Sequence, residues 1–431
     1  MRPRALLPGT VLLLALGVMV GARAAAPGTG PFAGAWEPVV LRGAAVTVHR
    51  NRPVAALALL AARDGALAPI PFQVDERTRA GGWCLESASP SAGAADGRRA
   101  QGDESPGLLD ADDELAFMPA DLGARVGAAA LAAYAAAEEL TVTDPRTGET
   151  AWAYLVSTGA SPPRSAVRHV RFQPQPGLGD LVATPVFRIG FVPGNAVVPS
   201  LLTVGNGDNL LDQLHMRIHA RLLGVLPISR DESDLRSHLG RYTAGPVRVL
   251  REVLTSVRLV GSLHSPDIPN VSIHTRDSVV LSFRLDVPFP PAGVAQDATF
   301  TALAGLRPVR GWRARASSDP RWLSIDGRTD EVEASAQRVG AVWVALQGPD
   351  AAVVLAHRGL PPELTAALEY VDTAEGAGVG FGVTGAQHLL RGSFSVQILA
   401  HVLDGPRPAD ELLAVAAAWD RPLHVEVRTV R

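Results

Sequence analysis

Gln213-Leu214-His215-Met216-Arg217-Ile218-His219-Ala220-Arg221-Leu222-Leu223 alternates strictly. Leu214, Met216, Ile218, Ala220 and Leu222 fall on one parity, and Gln213, His215, Arg217, His219 and Arg221 on the other. Successive side chains of a strand point to opposite faces, so the stretch reads as a strand with one apolar and one cationic face. A helix would scatter the same residues around its axis. His215 and His219 stand four apart, as paired metal ligands do on a helix, but the Glu of H-E-x-x-H is absent. On a strand they lie roughly 13 Å apart, too far to share one metal.

Working outward, short apolar or alternating runs separated by turn residues predict further strands. They include Val182–Val192, Val247–Val260, Val279–Val287, Val339–Leu346, Val353–Ala356, Ser393–Leu403 and His424–Val430. Leu140–Val156 reads as a hairpin turning at Asp144-Pro145-Arg146-Thr147-Gly148. Pro69 and Pro71 suit edge strands. Two short helices are expected, an Ala-rich one over 124–139 and one from Pro408 to Trp419 with Asp410 and Glu411 in its first turn. Residues 86–107 read as a mobile surface loop. Gly380-Phe381-Gly382-Val383-Thr384-Gly385 matches G-x-G-x-x-G but lacks a βαβ context, and reads as a glycine-rich sheet edge. The expected fold is mainly β: an N-terminal β-rich domain over 25–163, then a large antiparallel β-sandwich over 164–431, divided at Ser161-Pro162-Pro163-Arg164-Ser165.

The first 24 residues read as a secretory signal, with Arg2 and Arg4 before the apolar Leu12–Val20 and Ala22-Arg23-Ala24 at the cleavage site. Export to the periplasm or beyond is the expectation, with no membrane span left after cleavage. Losing Arg2, Arg4 and Arg23 makes a chain of formal charge −3 more acidic, which argues against nucleic acid as a partner. Every one of the 40 basic residues is Arg. Lysine Schiff bases and P-loop nucleotide binding are thereby excluded. Cys84 is the one cysteine, which excludes an intramolecular disulfide and Cys-rich metal centres.

Two clusters carry chemistry. On the cationic face, Arg217 and Arg221 suit bidentate binding of a carboxylate or sulfate, and His215 and His219 suit proton transfer. His238, Arg241 and Tyr242 downstream are expected to converge on that face; a solvated outer sheet face explains the same alternation. Asp110, Asp112, Asp113 and Glu114 place four carboxylates in five residues. They are the candidate metal ligands, with Ca²⁺ the cation such hard oxygens would take; a solvated acidic turn is the other reading.

Ile70-Pro71-Phe72-Gln73-Val74-Asp75-Glu76, followed by Asp112-Asp113-Glu114-Leu115-Ala116-Phe117, resembles a P-x-Q-x-D … D-E-L-x-F pair in exported bacterial proteins of the DUF4861 and rhamnogalacturonan-lyase-like kind. Gly245-Pro246-Val247-Arg248-Val249 resembles their G-P-V-R strand, and Arg421-Pro422-Leu423-His424-Val425 their closing strand. The resemblance implies a galactose-mutarotase-like β-supersandwich. It maps no catalytic residue onto this chain, and the Asp-Gly-Asp-Gly of the family's acidic loop is missing. The expected function is an exported, carbohydrate-associated protein binding an acidic oligosaccharide or similar anion, with uronate β-elimination as the chemistry if it is an enzyme. The alternative is a non-catalytic periplasmic or surface scaffold that docks another exported protein.

Overall fold

The computed structural model describes residues 32, 37–88, 103–159, 161–175, 179–287, 295–307, 311–336 and 340–430. The expected signal segment and residues 89–102 of the expected loop lie outside them. The fold is mainly β, as its alternating stretches dictate. An N-terminal unit pairs a three-stranded sheet (Val39–Arg42, Glu114–Phe117, Phe72–Asp75) with a five-stranded one. Leu57, Leu59, Leu115, Phe117, Leu140 and Leu155 fill the space between. Ala66–Pro69 and Phe72–Asp75 both lie at sheet edges, where the backbone N–H lost to Pro69 and Pro71 costs no ladder bond.

The rest is a sandwich. A fifteen-stranded antiparallel-rich sheet packs on a five-stranded sheet of order Leu226–Asp231, Leu211–Leu222, Ala295–Leu306, Gly376–Thr384, Thr365–Thr373. The quoted strand is second in that sheet. Leu214 and Met216 point between the sheets, beside Leu281 and Phe283 of the facing strand Ser278–Val287. The expected parity therefore sets the inside and the outside of the sandwich.

Four expectations are corrected. Residues 124–139 form only a 3-10 turn, Ala128–Leu131, and Glu138 and Glu139 belong to the strand Ala137–Thr143. Pairing on both sides, with His424–Val430 and Thr150–Ser157, overrides the helix propensity of alanine. Val182–Val192 is two antiparallel strands, Leu181–Ala183 and Phe187–Val192, joined by a turn that the Thr184 hydroxyl closes. The glycine-rich strand Gly376–Thr384 lies inside its sheet, not at its edge. The last strand, His424–Val430, leaves the sandwich and joins the N-terminal sheet through Ala137–Thr143.

Three of the four stretches that carry the family resemblance, all but Arg421–Val425, meet at the seam between the units. Buried Arg248 donates to Asp75 (Nε to Oδ2, 2.6 Å) and to Glu114 (Nη2 to Oε2, 2.7 Å). Gln73 Oε1 accepts from the backbone N–H groups of Val247 and Arg248, and its Nε2 donates to Asp75. A Cβ at Gly245 would collide with the Gln73 amide, so glycine is what lets this turn close. Burial alone would lower the pKa of Arg248; the Asp75 and Glu114 charges outweigh it and hold the guanidinium above its ordinary value.

Candidate functional site

Strand alternation turns His215 to the outer face of the five-stranded sheet. Its ring is then fixed from two sides. Nδ1 donates to Glu232 Oε1 at 2.7 Å, and Glu232 Oε2 accepts the Met216 backbone N–H at 3.0 Å. Gln213 Nε2 also donates to Oε1, at 3.0 Å. Glu232 comes from the 3-10 turn Glu232–Asp234, which Asp231 and Asp234 close as a capping box. Burial pushes the Glu232 carboxyl up, but the hydrogen bonds from His215 and the backbone win and leave it below the usual range. On the neighbouring strand Gly305 makes room for the ring, since a Cβ there would come within 2.6 Å of Cδ2 and Nε2. A His whose Nδ1 proton is held by a carboxylate presents Nε2 as a proton acceptor. The acid nearest that nitrogen, Asp212, is 4.0 Å away.

His215 stands in the wall of a cleft of about 820 Å³ that also takes in Asp212, Arg307, Asp326, Arg328 and Glu375. Buried Asp372 shapes one side by accepting the backbone N–H groups of Asp326 and Gly327. Arg307 Nε donates to the Leu211 carbonyl, which fixes its guanidinium over the strand. Among the described residues the cleft thus offers donors and acceptors of both signs and no Phe, Tyr or Trp ring, a lining for a hydroxyl-rich or charged ligand held by hydrogen bonds rather than by stacking.

Arg217, His219 and Arg221 follow His215 along the same outer face but lie beyond the cleft. Arg217 stands opposite Asp231 in the ladder, and Arg221 is ion-paired with Asp297. The expected convergence with His238, Arg241 and Tyr242 does not occur. Those residues sit on Leu235–Ala244 in the large sheet, where Arg241 is held bidentately by Glu252 and the Tyr242 ring meets Phe172 edge-on at 4.9 Å. Glu232, Gly305, Arg307 and Arg328 are the residues that sequence reasoning missed. A carboxylate just past an alternating strand is the only local signal, and it concerns Glu232 alone.

The acidic stretch divides. Asp110 and Asp113 join Asp103 in a group whose ligand oxygens all lie within 4.8 Å of one another. The Asp112 carboxylate stays outside it, its backbone carbonyl accepting from Arg42 and its backbone N–H donating to Asp110 Oδ1, and Glu114 is turned away to Arg77 and Arg248. As metal ligands, the four sequence candidates therefore reduce to Asp110 and Asp113, with Asp103 added from the loop. Three clustered carboxylates suit a hard cation such as Ca²⁺ completed by water. Burial first, then the charges of Asp110 and Asp103, raise Asp113 to about 7, against the hydrogen bonds it accepts from the backbone of Asp110 and Arg77. Burial first, then the charges of Asp103, Glu76 and Asp113, raise the Cys84 thiol to about 11, so the thiolate is suppressed.

A carboxyl raised on folding binds its proton more tightly in the folded chain, so its contribution is intact below about pH 4 and drains away as pH rises toward 7, by about 3–4 kcal/mol at most. We expect Asp103→Asn to flatten that decline, measured by urea unfolding between pH 4 and 7.5. Millimolar Ca²⁺ should raise the wild-type melting temperature at pH 7.5 and not that of Asp103→Asn. Equal pH profiles for the two chains would remove this account of the cluster.

No family model matches the chain, and no curated protein matches its sequence. Among solved structures, an alpha-mannosidase from Enterococcus faecalis V583 superposes with a TM-score of 0.51 at 8% identity, covering 92% of this chain and 45% of that one. A glycosyl hydrolase family 38 protein from Enterococcus faecalis gives a TM-score of 0.48 at 8% identity, over 91% of this chain and 45% of its own. The chain spans less than half the length of these structures, and the likeness to the first is one of β-rich fold.

Proposed function

We propose that the protein is an exported, carbohydrate-binding β-sandwich whose ligand is an acidic oligosaccharide seated in the cleft beside His215. The observation that carries this reading is the His215–Glu232 pair set in the wall of a polar cleft with Arg307 and Arg328. Guanidinium groups there would hold a uronate carboxylate. His215 Nε2 is the group that would take the proton next to that carboxylate, should the ligand be cleaved by β-elimination. The fold shared with an alpha-mannosidase supports a carbohydrate ligand, and the Arg-led apolar N-terminus supports export.

The test is calorimetric titration with oligogalacturonates against neutral oligosaccharides. A hydrogen bond to a charged group contributes about 1.5–3 kcal/mol, so exposed Arg328→Ala should weaken oligogalacturonate binding about 10- to 100-fold. Unaltered affinity would move the ligand out of this cleft. His215→Gln should bind comparably and release no unsaturated product. A second reading, docking of another exported protein, is favoured by one feature: Leu226–Asp231 is an open sheet edge with Leu226 exposed at its start. A chain that binds no sugar, but adds a strand-forming peptide at that edge, would replace the first reading.

A further inference from the structure

The inner face of the same sheet is incompletely filled, and independently of the sugar reading we propose that the space between the two sheets binds a single aliphatic chain. A cavity of about 140 Å³ lies there, lined by apolar side chains throughout. Its wall on Ala295–Leu306 runs from Leu306 to Phe300, about 20 Å of strand, so the space is long and narrow. The sequence creates it. Ala302 and Ala304 on one sheet and Ala400 on the other line the chamber where close packing would call for larger side chains. An apolar chamber of comparable size, roughly 150 Å³, stays dry and accepts apolar guests.

The sandwich is closed at one end and open at the other. Along the strand Leu211–Leu222 the inward side chains run from Leu211, 6% exposed and brought to the inner face by a bulge before Leu214, through half-buried Leu214 and Met216 to Ile218, 40% exposed. Phe300, the ladder partner of Ile218, is also half-buried. Beyond the open end the strand reaches a tip made of Leu223, Gly224 and Val225, with Leu223 73% and Val225 81% exposed. Leu223 takes φ 50, a left-handed conformation that a branched apolar side chain rarely adopts and that Asn, Asp or Gly would fill more readily. Apolar residues kept at such a tip, in line with the mouth of an apolar slot, match the hydrocarbon of an amphiphile rather than a polar ligand. The slot's length and narrowness match a chain rather than a ring system.

The experiment is equilibrium binding of octanoate, dodecanoate and hexadecanoate, each below its micellar concentration, to the full chain. Affinity should rise about fourfold per added methylene until the slot is full. Ala302→Leu fills the chamber and should weaken dodecanoate binding at least tenfold without lowering the melting temperature. Ile218→Asp puts a charge at an already exposed position in the mouth; it should weaken binding comparably and keeps the test open if Ala302→Leu does not fold. Phosphatidylglycerol vesicles separate the two sources of hydrocarbon. Sedimentation with vesicles but no uptake of the free acids would mean that the tip inserts into a bilayer, and would overturn the slot. No binding of any acid, or dodecanoate binding that both substitutions leave unchanged, would overturn it as well.

Discussion

Arg248→Met should cost about 3–5 kcal/mol of unfolding free energy, the cost of breaking a buried ion pair from one side. Methionine keeps much of the aliphatic stem, so the loss is chiefly electrostatic. Asp75 would remain buried with only the Gln73 amide as a side-chain donor, whereas Glu114 would keep Arg77 at 2.9 Å. The guanidinium groups of Arg77 and Arg248 also lie over the Trp83 ring, at 4.0 and 5.2 Å. Removing Arg248 leaves the indole with Arg77 as its remaining cation. Urea unfolding should show a lower midpoint. The control is Arg248→Met with Asp75→Asn and Glu114→Gln, which removes the charges together and should recover part of the loss. A single-variant cost below about 1 kcal/mol would mean that the seam is solvated and the network contributes no more than a surface pair.

That seam shows how far the sequence could be read. Three short motifs, scattered over some 170 positions, were joined only by resemblance. In space Gln73, Asp75, Glu114 and Arg248 are one hydrogen-bonded network. Their residue types follow from the physics of a buried charge, which must be paired and hydrogen-bonded. The alternation of Gln213–Leu222 was legible because period two leaves a single choice of inner face. The partners of that strand were not. Glu232 reaches His215 only because the strand Leu226–Asp231 folds back as a hairpin and a capped turn follows it. His238 and Tyr242 are nearby in sequence, yet the chain crosses from one sheet to the other after that turn. Arg307 and Arg328 come from more than 80 residues away, and periodicity carries no information at that range.

Glu138→Gln should be comparably costly at neutral pH, and its cost should shrink in acid. Glu138 is fully buried and accepts five hydrogen bonds. Oε1 takes the Thr47 N–H at 2.7 Å, the Thr47 hydroxyl at 2.9 Å and the Val48 N–H at 3.0 Å. Oε2 takes the His49 N–H at 3.3 Å and His49 Nδ1 at 2.8 Å. Burial alone would raise this carboxyl; the donors win and pull it from 4.5 to about 2. An amide in its place must aim an NH₂ at donors whichever way it is turned, leaving at least one of them without an acceptor and the others without a charged one, for an expected loss of about 3–5 kcal/mol. A carboxyl depressed on folding gives stability that is present above about pH 4.5 and lost as pH falls toward 2, here about 3 kcal/mol. Wild type and Glu138→Gln should therefore converge between pH 4.5 and 2.5 in urea unfolding, and a constant gap would deny Glu138 this role. Asp113 works in the opposite sense over pH 4 to 7. The two windows meet near pH 4.5, so the stability set by these two carboxyls should peak there, and Ca²⁺ should move the peak upward by taking the place of the Asp113 proton.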